Sequence, residues 1–234
     1  MHHASTIGWY GKLPSAGDFL RRRFPEALTS QWGQWFKVGL LNWQRAVERQ
    51  EIRHPFSHAP VWNFVVPPLL GSQLVQMGCL IPGRDSIGRC YPLCAQRFFT
   101  VQSWSAQRLA EAGSWYSVLG GTLLHAMRNS YAAEQLDRAL LTLPALADPD
   151  PAKSDILDII GYDDSFCTLS WQQAANCFSP QRYSSFWWTN QADGYPLYTH
   201  VHSGNLTGQL FSLLFNPGGG GRPGSNSLYP PMLE

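Results

Sequence analysis

Residues 61–101, VWNFVVPPLLGSQLVQMGCLIPGRDSIGRCYPLCAQRFFTV, contain three apolar segments separated by turns that carry proline and glycine. The segments 61–66, 74–81 and 92–101 are rich in β-branched, aromatic and other apolar residues, which is typical of strands. Consecutive strands joined by such short connections pair with opposite directions, because a parallel pair needs a longer crossover. The stretch therefore predicts three neighbouring strands of an antiparallel sheet.

Segments with helical periodicity flank these three predicted strands. Upstream, Pro25 suits the first position of a helix, and apolar residues then recur at intervals of three and four. The apolar positions of this helix are Leu28, Trp32, Trp35, Phe36, Trp43 and Val47. Downstream, the same spacing predicts helices over residues 105–131 and 134–141, although Gly120 and Gly121 weaken the middle of the first. The order predicts an α+β fold with helices flanking a largely antiparallel sheet.

The second half of the chain predicts further elements of the same domain. The segments 184–189 and 197–202 have the pattern of strands, and 210–215 suits either a strand or a helix. Residues 143–155 are rich in proline and have the composition of a surface loop. The segment does not read as a linker between domains, because the part of the chain that follows is too small to fold alone. We therefore expect a single domain over residues 1–216 and a flexible tail, rich in glycine and proline, over residues 217–234.

Composition and charge limit the classes of partner. The formal net charge is +1 and only 14% of residues are charged, so nothing favours nucleic-acid binding. No apolar run approaches the roughly 18 residues of a membrane span, and the first residues lack the features of a signal peptide. Five cysteines without a C-x-x-C motif suit reduced thiols. Together with 13% aromatic residues, this predicts a cytoplasmic protein with protein partners and no membrane insertion.

Residues 8–25, GWYGKLPSAGDFLRRRFP, concentrate charge in a chain that otherwise uses little. Asp18 is a good N-cap for a short helical turn over residues 19–23, whose C-terminal end would carry three arginines. Those arginines are Arg21, Arg22 and Arg23. Lys12 follows a glycine, but a phosphate-binding loop needs another glycine before the lysine and Ser or Thr after it. The segment therefore predicts a shaped loop and no cofactor site.

Residues 80–93, LIPGRDSIGRCYPL, form a second charged loop between two predicted strands. In one interpretation, Asp85 accepts hydrogen bonds from loop amides or pairs with an arginine and so holds the turn. In the other, Arg84 and Arg89, beside the three arginines of the first loop, form a guanidinium patch for a carboxylate or phosphorylated partner surface. The sequence leaves both interpretations open.

Motifs for catalysis or metal binding are weak in this sequence. His200 and His202 alternate on a predicted strand, as in some metal sites, but no third ligand is evident from spacing. The candidates that the fold could bring to them are Asp163, Asp164 and Cys177. A G-x-G-x-x-G run over residues 219–224 lacks the helix that a dinucleotide site requires. One enzymatic alternative remains, a hydrolase that uses Asp18 and Asp85 near Lys12 and Arg89. Neither acid has a nucleophile and base beside it in sequence, so we expect no enzyme, no cofactor and no small-molecule substrate.

Three motifs together resemble one family. They are WYGKLPSAGDF near the start, PGRDSIGRCYPL in the second loop, and FWW in the segment SSFWWTN, which contains Trp187 and Trp188. At this spacing they resemble the type VI secretion-associated TagF (ImpM) proteins, over roughly residues 8–190. The sequence departs from the family pattern at Gly83 and Arg84, where the family more often has serine and another residue before the aspartate.

The resemblance implies a function as well as a fold. It implies a cytoplasmic bacterial regulator without known catalytic activity, which represses type VI secretion after translation by binding a forkhead-associated scaffold protein. The implied fold is similar to longin-like or SNARE-like modules. The residues assigned to partner binding or to the family motifs are Lys12, Asp18, Arg21, Arg22, Arg23, Arg84, Asp85, Arg89, Trp187 and Trp188.

Two further expectations concern the first loop. We expect Gly17 to need a backbone conformation that glycine tolerates and β-branched residues do not. We also expect that glutamates in place of Arg21, Arg22 and Arg23 spare folding but weaken partner binding. Both expectations depend on the two loops being stiff elements of a recognition surface.

Overall fold

A computed structural model describes residues 6–146, 176–190 and 196–216. The strands in these residues are β1 (Gly8–Gly11), β2 (Leu20–Arg22), β3 (Trp62–Val66), β4 (Leu74–Ile81), β5 (Leu93–Thr100), β6 (Ser184–Asn190) and β7 (Pro196–Ser203). The α-helices are α1 (Glu26–Glu48), α2 (Ala106–Ala110), α3 (Gly113–Arg128), α4 (Ala133–Leu141) and α5 (Gly208–Phe215). Short 3-10 helices cover Phe56–His58 and Val101–Ser103.

All seven described strands belong to one antiparallel sheet with the order β2-β1-β5-β4-β3-β6-β7. The three strands predicted from residues 61–101 form its centre, as consecutive antiparallel neighbours. In the longest pairing, Leu74 of β4 lies opposite Thr100 of β5, and Ile81 lies opposite Leu93. The predicted α+β class and the antiparallel sheet are confirmed.

Helices cover both faces of the sheet. Side chains alternate along each strand, so neighbouring residues enter different cores. Trp9 packs with α2, α3 and α4 on one face, whereas Tyr10 packs with α1 and α5 on the other. Trp188 and Trp187 of β6 divide between the same two faces. The chain therefore forms three layers, helices on a sheet on helices, with two hydrophobic cores.

The helix predicted over residues 105–131 consists of two helices. The break lies at Glu111 and Ala112, between α2 and α3, and not at the glycine pair. Gly120 instead lies inside α3, where a Cβ atom would come 3.0 Å from a methyl group of Val61. Glycine at this position allows α3 to approach the sheet closely. The ambiguous segment 210–215 is helical, within α5.

The opening segment differs from the prediction. Residues 20–22 form strand β2 and pair with β1, so the predicted helical turn over residues 19–23 with an Asp18 cap is wrong. An isolated helical turn of this length gains little from its own hydrogen bonds. Pairing with β1 supplies hydrogen bonds within a sheet, and β2 becomes its edge strand.

Some expectations fall on residues that the structure does not describe. The tail over residues 217–234 and most of the predicted loop over residues 143–155 lie outside the described residues. In the described part of the chain, no helix has the length and hydropathy that a membrane span requires.

Candidate functional site

The candidate site is built around Asp85, in the loop between β4 and β5. Its side chain is fully buried, and four groups donate hydrogen bonds to its two oxygens. Oδ1 accepts from the backbone amides of Ile87 at 3.1 Å and Arg89 at 2.8 Å. Oδ2 accepts from Lys12 Nζ at 2.8 Å and from Arg89 Nε at 2.6 Å. We call these residues the Asp85 cluster.

The loop that carries Asp85 is closed by its own backbone. The amide of Asp85 donates to the carbonyl of Arg89 at 3.1 Å, and the amide of Gly88 donates to the carbonyl of Asp85 at 3.0 Å. Gly88 has a φ of 84°, in the left-handed region that glycine adopts at no steric cost. This local turn aims both Asp85 oxygens inward, so the first interpretation of the loop is confirmed.

The electrostatics of the cluster keep Asp85 ionised. Burial by itself would raise the pKa of Asp85. The hydrogen bonds from Lys12, from the Arg89 side chain and from the two loop amides favour the carboxylate and outweigh burial. They hold the pKa of Asp85 well below its ordinary value of 3.8. Asp85 therefore stays negatively charged at neutral pH.

The Asp85 cluster joins the two charged loops of the sequence. Besides the bond from Lys12, Arg89 Nη2 donates to the carbonyl of Gly17 at 2.9 Å. The amide of Ser86 donates to the carbonyl of Ala16 at 3.0 Å. Residues 12–19 and 82–92 therefore lie side by side, as two loops of one surface.

Close approach of these segments depends on Gly11 and not on Gly17. A Cβ atom on Gly11 would lie 2.3 Å from the carbonyl oxygen of Pro92, and its φ is 148°. A Cβ atom on Gly17 would meet only Ser86 Oγ at 3.7 Å, which is an ordinary contact. The expectation that Gly17 needs a conformation restricted to glycine is therefore wrong, because its backbone lies outside the left-handed region.

Arg23 belongs to a second cluster, which we call the Asp137 cluster. The Arg23 guanidinium donates to both carboxylate oxygens of Asp137 in α4, at 3.0 Å to Oδ2, and its Nε donates to the carbonyl of Ile7 at 3.0 Å. Trp9 Nε1 also donates to Asp137 Oδ1, at 2.8 Å. Arg23, the largest influence, lowers the pKa of Asp137. Arg23 therefore fixes the end of β2 to α4.

Arg21 and Arg22 point to opposite faces of the edge strand and pair with different helices. Arg21 binds Glu26 and lies 3.3 Å from Thr29 Oγ1, both in α1. Arg22 lies 3.6 Å from Glu134 in α4. Each of the three consecutive arginines is thus paired with an acid of this fold. Because side chains alternate along the strand, Arg21 and Arg22 cannot both join one guanidinium patch with Arg84 and Arg89.

The remaining predicted site residues differ in exposure. Asp18 and Arg84 are exposed and, within the described residues, form no ion pair. Lys12 is 6% exposed, and its exposed fraction is too small for direct contact with a large partner. Trp187 and Trp188 are 0% and 2% exposed, so these motif residues belong to the hydrophobic cores and not to a surface.

The two histidines lie in β7, as the sequence predicted. Burial lowers the pKa of His200, which packs 5.3 Å from the ring of Trp62. His202 Nε2 lies 2.8 Å from the carbonyl of Asn205. Among the described residues, no group of three His, Cys, Asp or Glu side chains is placed to hold a metal ion. Asp163 and Asp164, considered as a third ligand, lie outside the described residues.

A groove lies at another part of the surface, between α1, the β3–β4 connection and the start of α5. Its volume is about 440 Å3. Leu69, Leu70, Val38 and Leu206 supply apolar walls, and Leu70 is 81% exposed. Sequence reasoning missed this groove because its lining comes from three distant segments.

Comparisons with known proteins agree with the motifs. Residues 8–143 match the model of the TagF N-terminal domain, type VI secretion system-associated. The chain belongs to the TagF family. The crystal structure of PA0076 from Pseudomonas aeruginosa PAO1 is similar in fold, with 21% sequence identity and a TM-score of 0.65. That match covers 90% of this chain and 94% of the other. No curated protein matches the chain.

The TagF match covers the Asp85 cluster and, apart from the carbonyl of Ile7, the Asp137 cluster. It ends at residue 143, after α4, whereas β6 and β7 extend the same sheet beyond it. Sequence reasoning identified Lys12, Asp85 and Arg89, and Trp9 opens the first family motif, but Asp137 and its hydrogen bond from Trp9 were missed. An acid in an amphipathic helix gives no sign of a distant arginine partner, so only the fold could reveal this second cluster.

Proposed function

We propose that this TagF-family chain is a non-catalytic, cytoplasmic regulator that represses type VI secretion after translation. It acts by binding a forkhead-associated scaffold protein of the secretion system. The observation that carries the proposal is the Asp85 cluster, in which the motif side chains Lys12, Asp85 and Arg89 hold two loops together as one surface. Such a rigid, loop-built surface is typical of recognition sites.

The hydrolase alternative draws little support from the same geometry. A general acid or base needs a carboxyl group that can reach a substrate and exchange a proton near the working pH. Both Asp85 oxygens are buried and already accept two hydrogen bonds each, and its pKa lies far below neutrality. Asp18 is exposed on the neighbouring loop and has no described partner that would orient it.

Binding of the purified chain to the purified scaffold protein tests the proposal. Isothermal titration calorimetry should give a 1:1 complex at micromolar or lower concentration, and light scattering should give the summed mass. Overproduction of the chain in the bacterium should reduce secretion without lowering the amounts of the secretion proteins. No complex, together with unchanged secretion, would refute this function.

An Asp18→Asn variant separates the regulator from the hydrolase. The regulator predicts that secretion stays repressed in this variant, since replacing one exposed carboxylate by its amide removes no catalytic step from a binding protein. If repression disappears while scaffold binding is retained, the hydrolase alternative is favoured.

A further inference from the structure

Two large apolar side chains are exposed on the two loops that the Asp85 cluster joins. Phe19 lies at the end of the first loop and is 54% exposed, and Ile87 lies in the second loop and is 73% exposed. Phe19 lies beneath Lys12 Nζ, which is 4.7 Å from the ring centroid, and Ile87 donates its amide to Asp85. Both exposed side chains therefore flank the same buried carboxylate.

The ring of Phe19 and the backbone of Ile87 are held in place before any partner arrives. The ring of Phe19 packs edge-on against Tyr91, with centroids 4.7 Å apart, and Tyr91 is itself buried and hydrogen-bonded to Tyr10. The backbone of Ile87 is fixed by Asp85 Oδ1. Apolar groups fixed in this way lose little conformational entropy on binding, which is what makes an interface anchor effective.

The charge around the two apolar side chains is positive. Arg84 is exposed and forms no ion pair with another described residue, and the Arg89 side chain is 59% exposed. Residues 12–19 and 82–92 carry three cations, at Lys12, Arg84 and Arg89, against two carboxylates, at Asp18 and Asp85. A partner surface with carboxylates around an apolar centre would be complementary.

We propose that Phe19, Ile87, Arg84 and Arg89, which we call the loop surface, are the contact surface for the scaffold protein. Phe19 and Ile87 enter an apolar depression of the partner, and the two arginines meet acidic side chains at its rim. This inference rests on the proposed function, because it assigns the scaffold to one part of this chain. Arg21, Arg22 and Arg23 lie outside the loop surface, since they pair with acids of helices α1 and α4 and not with the two loops.

The groove beside α1 provides a matched control surface. Leu70 is exposed to a similar or greater degree than Ile87 and lies in the connection before β4. The loop that carries Ile87 follows β4. Eight residues of strand separate the two connections, or roughly 25 Å at the usual rise. A substitution at Leu70 therefore changes exposed apolar surface without touching the loop surface.

The experiment compares the dissociation constants of four variants for the purified scaffold protein. We expect Ile87→Ser and Phe19→Ala each to weaken binding about tenfold or more, as substitutions of anchor residues do. Arg84→Glu should weaken binding strongly at low salt and less at high salt, because salt screens the charges. Leu70→Ser should bind as the wild type does.

Folding is checked by thermal melting of each variant. Ile87→Ser is decisive, because its side chain is mostly exposed and the substitution leaves the amide bond to Asp85 intact. If the wild type binds and Ile87→Ser and Arg84→Glu bind equally well, the loop surface is refuted and the proposed function survives. If the wild type does not bind, the proposed function fails first. Self-association of the wild type that Ile87→Ser abolishes would assign the surface to a second copy and overturn the inference.

Discussion

The Asp85 and Asp137 clusters use the same chemistry at different depths. In each, one carboxylate receives an arginine and further hydrogen bonds, and in each the pKa of the acid is lowered. The Asp85 side chain is fully buried and bound to the nearly buried Lys12, whereas the side chains of Asp137 and Arg23 are 20% and 29% exposed. Burial therefore decides the cost of removing one side chain of a cluster. In the Asp137 cluster, water can hydrogen-bond to the group left behind, whereas in the Asp85 cluster that group stays buried and unpaired.

The two clusters also connect different parts of the fold. The Asp85 cluster joins two loops and shapes a surface, while the Asp137 cluster fixes edge strand β2 to helix α4. Substitutions in the Asp85 cluster should therefore lower both the stability of the protein and its binding to a partner. Substitutions in the Asp137 cluster should mainly lower stability.

Asp85→Asn is the largest expected single effect. The aspartate accepts hydrogen bonds on both oxygens, so the NH2 group of an asparagine would face two donors, and Lys12 would be left nearly buried without an anion. We expect a loss of unfolding free energy larger than for any other substitution below, measured by urea denaturation. A loss no larger than that of Asp137→Asn would contradict the claim that the more buried cluster contributes more to stability.

Removing both buried charges tests whether the lost stability comes from leaving Lys12 buried without an anion. In a Lys12→Met, Asp85→Asn double variant no buried cation is left without an anion, because Arg89 is largely exposed to water. Part of the stability lost in Asp85→Asn should therefore return. A double-mutant cycle with Lys12→Met alone measures the coupling. Strict additivity of the two single losses would mean that the Lys12–Asp85 pair carries no coupling energy.

The clusters should give the protein a stability that depends on acid pH. Both acids have folded-state pKa values below the ordinary 3.8, so their contribution is present above that value and is lost progressively as pH falls below it toward the folded-state pKa values. Urea denaturation at pH 7, 4.5 and 3 should show a steep loss only at the lowest pH. The loss should be smaller in Asp85→Asn, and an unchanged pH dependence in that variant would contradict the assignment.

Asp137→Asn should have an intermediate effect. It weakens the pair with Arg23 and the bond from Trp9, and water can solvate the exposed part, so we expect a loss of about 1 to 2 kcal/mol. Scaffold binding should stay within about twofold of the wild type, because this cluster lies outside the loop surface. A large loss of binding with intact folding would place α4 in the interface instead.

Arg21→Gln and Arg22→Gln should have the smallest effects. Both side chains are 42% exposed, and their acid partners are 80% and 74% exposed, so each pair contributes less than about 0.5 kcal/mol. This revises the expectation that glutamates at all three arginines spare folding, because Arg23 is structural. Thermal melting of Arg21→Glu, Arg22→Glu and Arg23→Glu separately should show a clear loss only for the last.

The sequence predicted the elements whose pattern is local. The strands β3, β4 and β5 and helix α1 follow from runs of apolar residues at the spacing of each structure, and their bounds agree within a few residues. The structural role of Asp85 was one of the two interpretations of its loop. It could be predicted because the donors are amides of the same turn, a few residues away in sequence. Strands β1 and β2 were not predicted, since each is short and is stabilised by its neighbours in the sheet.

The sequence by itself determined the fold class, the TagF family and the two charged loops, because apolar periodicity and turn residues act over short distances along the chain. Only the tertiary structure decided which charges are free. It buried Lys12, paired Arg23 with Asp137 and left Arg84 exposed in the loop that carries Ile87. The reason is physical: an ion pair forms between groups that folding brings together, and its strength depends on burial, which no local pattern encodes.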